Sequence, residues 1–251
     1  MLASLEKIKH PTRVSVCIAT FNGSPYIIDQ LLSILSQIGE SDEIIICDDF
    51  SSDDTVQKIT SLADHRIILY QNHHNIGYTK TFERALRLAS GEYIFLSDQD
   101  DVWFPLKLET CLEKLTKYSL VVTDCSHTDV HLRILHYSHF ALHKVRKGFL
   151  PNFFASRYVG ACMAFRRNVL LMSLPFPKVS QFCPHDYWIA LIASAYFSVG
   201  LVSRPCMYYR RHSTNASSGG SRSQRSLIIV LCQRFYVLNH ILYRFYRYIN
   251  L

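Results

Sequence analysis

The chain has 251 residues, 49% hydrophobic and 19% charged, which excludes a disordered tail and gives enough core for one large domain. Its net charge of +7 is unevenly placed: no Asp or Glu follows Asp186 but eight arginines do, so the excess sits in the C-terminal segment and points to an anionic partner there. Eight cysteines with no C-x-x-C pair argue for buried thiols in a reducing compartment rather than a disulfide or zinc framework, and no run approaches the roughly 18 apolar residues of a membrane span.

Residues 14–19 read as a buried strand, followed by a helix with Ile27, Leu31, Leu32 and Leu35 at helical spacing. Residues 43–47 form a second strand, and Ser51-Ser52-Asp53-Asp54-Thr55 opens a second helix with side chains suited to an N-cap. A third strand at 67–70 leads to a helix over 80–89 that Ser90-Gly91 ends. A fourth strand at 93–97, a helix over 105–118 and a strand at 120–123 complete the alternation. Short apolar strands separated by helices predict an α/β fold with a mainly parallel sheet covered on both faces. In the last segment Leu227, Leu231, Phe235, Leu238, Leu242, Phe245 and Ile249 form one helical stripe, with Arg222, Arg225, His240, Arg244 and Arg247 opposite. Such a helix suits a membrane surface, the protein's own core or a homodimer interface. The expected division is 1–216 for the main domain and 217–251 for this helical appendage.

Polar clusters fall at the strand ends: Thr20-Phe21-Asn22 after the first, Asp48-Asp49 after the second, and Asp98-Gln99-Asp100-Asp101 after the fourth. In a parallel sheet those ends share one edge, so groups distant in sequence converge on one crevice. Clustered carboxylates there supply hard oxygen ligands for a metal-bound nucleotide. No Gly-rich phosphate loop follows the first strand, which argues against P-loop enzymes and dinucleotide dehydrogenases.

Residues 14–22, 44–55, 75–77, 91–103, 160–162, 185–188 and 209–215 resemble, in order and spacing, the family 2 glycosyltransferases of GT-A fold. The string Ser97-Asp98-Gln99-Asp100-Asp101-Val102-Trp103 looks like bacterial transferases that build surface polysaccharides such as O-antigen, many of them rhamnosyltransferases. The resemblance implies a base pocket at Thr20, Phe21 and Asn22, and a contact from Asp49 to a uracil or thymine edge. It implies Asp98 at the ribose, Asp100 on Mn²⁺ or Mg²⁺, and His212 on the metal or pyrophosphate. Asp186 would be the general base, with Arg210 or Arg211 on phosphate, while Asp101 would only support its neighbours or cap the helix after Pro105. His185 and Thr81 stand where many relatives carry Glu and Asn, which leaves the donor sugar open.

The reaction so implied moves a rhamnosyl residue, or secondly a glucosyl one, from a UDP- or dTDP-sugar to a polyprenyl-diphosphate-linked saccharide. It is expected to invert the anomeric centre at the cytoplasmic face of a bacterial plasma membrane. A nucleotidyltransferase and a non-catalytic nucleotide-sugar or membrane-binding module are the alternatives. No recognisable nucleic-acid module accompanies the basic tail.

Overall fold

The computed structural model describes residues 13–155, 157–213, 215 and 227–249. Arg222, Arg225 and the expected boundary at 216–217 lie outside the described residues. In chain order the elements are β1 (Val14–Thr20), α1 (Ile27–Leu35), β2 (Glu43–Asp48), α2 (Thr55–Ser61), β3 (Ile67–Gln71), α3 (Tyr78–Leu88), β4 (Tyr93–Ser97) and β5 (Val102–Trp103). There follow α4 (Lys107–Leu115), β6 (Leu120–Thr128), β7 (Ile134–His136), α5 (His139–His143), α6 (Phe149–Phe154) and a 3₁₀ turn (Gly160–Cys162). The chain continues through β8 (Met163–Arg166), α7 (Arg167–Ser173), α8 (His185–Tyr196), β9 (Val199–Arg210) and α9 (Leu227–Ile249).

One curled sheet runs β3-β2-β1-β4-β8-β6-β9-β5, with β7 added to β6. The four strands read from the N-terminal sequence are parallel, as expected. Beyond them β8 runs antiparallel to both β4 and β6, and β9 returns parallel to β6. The C-terminal ends of β1, β2, β4, β6 and β9 therefore share one edge. β1 and β2 are apolar on both faces because helices cover both faces, and Val16, Ile18, Ile44, Ile46 and Phe95 are fully buried between those layers. Each such side chain contributes about 1.5–3 kcal/mol on burial.

Two helix starts differ from the sequence reading. α3 begins at Tyr78 rather than Lys80, because Asp49 fixes the preceding turn through the Ile76 and Gly77 amides and Gly77 takes φ 86°. α4 begins at Lys107, after Leu106 at φ 68°, and no side chain caps it. The expected capping role of Asp101 is therefore not found. At α2 the capping residue is Asp54, without a side-chain bond, and Asp53 serves the Thr55 amide instead at 3.1 Å.

α9 docks, but not by its apolar stripe. Val237 and Ile241 are buried, Gln233 donates to Phe182 O at 2.7 Å, Arg234 donates to Phe154 O at 2.9 Å, and Arg244 donates to the Leu174 and Pro175 carbonyls. Leu231, Phe235 and Leu242 face outward at 68%, 72% and 57% exposure. This corrects the expected placement of Arg244 on a free basic face. The body beneath α9 presents loop carbonyls that need donors, so a mixed Gln-Arg-Val-Ile row fits it better than the all-apolar one.

Candidate active site

The β4–β5 turn carries Asp98, Asp100 and Asp101, whose carboxylate oxygens come within 4.8 Å of one another. Asp101 is fully buried; one oxygen accepts the Arg210 amide at 3.1 Å, and Oδ2 has no hydrogen-bond partner. Burial, then Asp100 and Asp186 nearby, push the Asp98 carboxyl up to about 7, with Lys107 opposing. Asp101 is driven up in the same way, by burial and then by Asp100 and Asp98. The buried Lys107 donates to Ala161 O at 2.8 Å and stands 4.4 Å over the Trp103 ring. A carboxylate group so under-compensated, with an orphaned buried oxygen, fits a divalent cation of the Mn²⁺ or Mg²⁺ kind. Asp101 thus belongs to the same oxygen cluster as Asp98 and Asp100.

Asp100 is joined to the end of β9. His212 Nε2 lies 2.7 Å from Asp100 Oδ2, the Asn215 amide donates to the same oxygen at 3.0 Å, and the Tyr26 ring stacks on His212 at 5.0 Å. Asn215, three residues beyond His212, was visible in the motif but not chosen. Arg210 is buried, and its three guanidinium nitrogens go to Asp100 O (2.8 Å), Val130 O (2.7 Å) and Asp29 (3.5 Å). It braces the carboxylate turn from within.

The β1 and β2 ends form the other wall. Thr20 is buried and its hydroxyl donates to Asp48 at 3.0 Å, which joins the β1 and β2 ends. Phe21 is 45% exposed, with its amide and carbonyl clamped by the Gln99 side chain, and Phe50 is 59% exposed. Asn22 accepts the Ser52 amide at 2.9 Å and its own amide donates to Ser51 at 2.9 Å, which ties the two strand ends together. Asp49 accepts from Asn72, Ile76 and Gly77 between 2.8 and 2.9 Å. It therefore holds the Asn75-Ile76-Gly77 turn. Thr81 is buried against that turn and donates to Gly77 O at 3.2 Å.

Asp186 occupies the first turn of α8, where Pro184 is the capping residue; Asp186 Oδ1 accepts the Tyr187 amide at 2.7 Å. Its charge reaches Asp98 across the crevice. The 3₁₀ turn allows this approach: a methyl on Gly160 would stand 3.1 Å from both Asp186 Cβ and His185 Nε2. His185 is buried, stacked on Phe82 at 4.1 Å with both ring nitrogens unpartnered, and burial holds its pKa low so that it stays neutral.

Carboxylates at the C-terminal edge of a nucleotide-binding type of parallel sheet, faced by a helix-borne Asp, define a GT-A type transferase. The family "Glycosyl transferase family 2" matches residues 15–171, more than half of the chain, and the chain belongs to that family. Among its relatives is the Escherichia coli UDP-Glc:alpha-D-GlcNAc-diphosphoundecaprenol beta-1,3-glucosyltransferase WfaP, 41% identical over 95 residues, 38% of each chain. The dTDP-rhamnosyl transferase RfbG of Shigella flexneri is 26% identical over 218 residues, covering 78% of this chain and 72% of that one. The alignments to WfaP and its E. coli counterpart WfgD span about two fifths of those relatives' length. Among solved structures, Staphylococcus aureus TarS 1-349 in complex with UDP-GlcNAc superposes with a TM-score of 0.69 at 18% identity, over 92% of this chain and 66% of TarS. The mannosyltransferase PcManGT of Pyrobaculum calidifontis, in complex with GDP-Man and Mn²⁺, gives 0.61 at 18%, over 96% of this chain and 65% of its own. Family membership groups the chain with glycosyltransferases rather than nucleotidyltransferases.

Proposed function

We propose that the chain transfers a rhamnosyl residue from a UDP- or dTDP-sugar to a polyprenyl-diphosphate-linked saccharide in surface-polysaccharide synthesis, with inversion. The observation that supports glycosyl transfer here is the Asp98, Asp100 and Asp101 group with Asp186 near enough to act on Asp98, and the rhamnosyl choice is supported by the 26% identity to a dTDP-rhamnosyl transferase over 78% of the chain. Glucosyl transfer is the second reading, supported by the 41% identity to a glucosyltransferase over 95 residues. Asp98, Asp100 and His212 would hold Mn²⁺ or Mg²⁺, which when bound neutralises the charge that gathers on the leaving nucleoside diphosphate.

The rest is the work of this chain's own side chains. Phe21 and Phe50 offer exposed apolar faces for a base at the β1 and β2 ends, with Asn22 and Asp49 shaping the polar rim. Asp186 accepts the proton of the acceptor hydroxyl as its oxygen attacks the anomeric carbon and the bond from that carbon to the phosphate oxygen breaks. A base so placed is typically worth ~10²–10⁴ in rate. Arg210 holds the backbone of Asp100 while that carboxylate changes partners.

No helix among the described residues is long and apolar enough to cross a membrane. The outward row of Leu231, Phe235 and Leu242 supports attachment of α9 to the surface that carries the acceptor, on the cytoplasmic side of the plasma membrane. The test is a panel of UDP- and dTDP-sugars, with and without Mn²⁺, scored by donor hydrolysis and by transfer to a lipid-diphosphate saccharide. Asp100→Asn should abolish the metal-dependent turnover while leaving the fold intact. Full turnover in that variant, or of wild type in excess chelator, would remove the metal from the proposal.

A further inference from the structure

Outside the crevice, β6, β7 and α5 gather titratable side chains that glycosyl transfer does not use. Cys125 and His127 lie two residues apart on one face of β6, and His139 and His143 lie four apart on α5, one above the other. Their spacing, C-x-H followed by H-x₃-H, is that of transition-metal ligands on a strand and a helix. The side-chain atoms of Cys125, His127 and His139 come within 4.8 Å of one another, and all three residues are buried. His127 Nε2 and His139 Nδ1 are 2.9 Å apart, a hydrogen-bond contact that an ion bound between them would replace by moving the two rings slightly apart. The other nitrogen of His139 sits 2.9 Å from the Arg157 carbonyl, which turns the Nδ1 lone pair inward, as an outer carbonyl does for a ligating histidine. The His143 ring lies tilted against His139 at 4.4 Å and has a buried Nε2 with no hydrogen-bond partner.

We propose that Cys125, His127 and His139 bind one zinc-type divalent ion that pins α5 to β6. Thiolate and imidazole select such an ion over the Mn²⁺ or Mg²⁺ suited to the all-oxygen carboxylate group, so the two sites sort metals by ligand chemistry. The imidazoles are prepared for it: burial and the neighbouring histidines hold His127 down at about 4, and burial holds His139 and His143 low, so all three are neutral at pH 7. The Cys125 thiol, pushed up by its contact with Cys162 and by burial, gives up its proton to solvent as the ion arrives.

The full chain, stripped with chelator, is titrated with Zn²⁺ against a chromogenic zinc dye and separately with Co²⁺ under visible absorption. One equivalent should outcompete the dye, and Co²⁺ should give an intense tetrahedral spectrum with a thiolate charge-transfer band. Cys125→Ser should remove that band, and His127→Gln with His139→Gln should abolish uptake, whereas Asp100→Asn should leave it unchanged. Failure of wild type to hold an equivalent, a weak octahedral cobalt spectrum, or zinc uptake lost in Asp100→Asn would overturn the proposal. If the histidine variants do not fold, the wild-type cobalt spectrum and the Asp100→Asn titration still decide it.

Discussion

Asp98 offers a direct test of the crowded carboxylate turn. Its carboxyl is pushed from 3.8 up to about 7, so between those values the native state binds a proton that the unfolded chain does not. The sign follows: stability is fullest below the unfolded value and falls as pH rises through about 7. A shift of roughly three units corresponds to about 4 kcal/mol at most, and because part of this carboxyl meets solvent, about 2 kcal/mol is the better guide. Asp98→Asn keeps the shape and removes the ionisation, so in chelator it should melt roughly 4–8 °C above wild type at pH 8 and level with it at pH 4. Mn²⁺ should raise the wild-type midpoint at pH 8 and do little at pH 5, where proton and cation compete for the same oxygens. Thermal unfolding followed by circular dichroism across that range gives all four values. A variant that differs from wild type by the same amount at every pH would show that the Asp98 carboxylate is not strained by its neighbours, and the reasoning would fail.

Three further outcomes are expected. Asp186→Asn keeps the fold and donor binding but should lower turnover by ~10² or more, and a rate within a few-fold of wild type in saturating donor would remove it as the base. Gly160→Ala drives a methyl to 3.1 Å from Asp186 Cβ and His185 Nε2; it should cost about 1–3 kcal/mol in denaturant unfolding and slow turnover with unchanged Mn²⁺ affinity. Replacing Leu231, Phe235 and Leu242 with Ser should leave the melting point near wild type and weaken sedimentation with anionic vesicles roughly 10-fold or more, whereas deleting α9 uncovers Val237 and Ile241 and should destabilise the domain.

The N-terminal half of the fold was legible because its strands are continuous apolar runs, with Val14–Thr20 and Glu43–Asp48 buried nearly throughout. β5 has two residues and β8 four, too short for a periodic signal, so the antiparallel part of the sheet had no trace in sequence. The acidic string located the site, but not the division of labour within it. Asp101 receives the Arg210 amide from a strand 109 positions away, and Arg210 is consumed by backbone carbonyls; neither fact is local. Apolar spacing identified α9 as amphipathic but not that its polar side, through Arg244, would dock, because the surface it meets presents carbonyl oxygens. The histidines at 139 and 143 were visible as a spacing, yet their relation to Cys125 exists only once β6 is folded.

β6 also bears on how the chain comes off the ribosome. Its nine buried residues are laid between β8 and β9, both synthesised later, so the strand waits with its ladder edges open apart from the short pairing to β7. Such a strand is an invitation to intermolecular pairing. Of the nine, only 120–122 and Cys125 are apolar; Thr123, Asp124, Ser126, His127 and Thr128 dilute the run. The polarity that limits the sequence reading to residues 120–123 also acts as a gatekeeper against aggregation of the nascent chain. The family match, which ends at residue 171, stops just beyond β8, the first point at which β4 and β6 can be bridged.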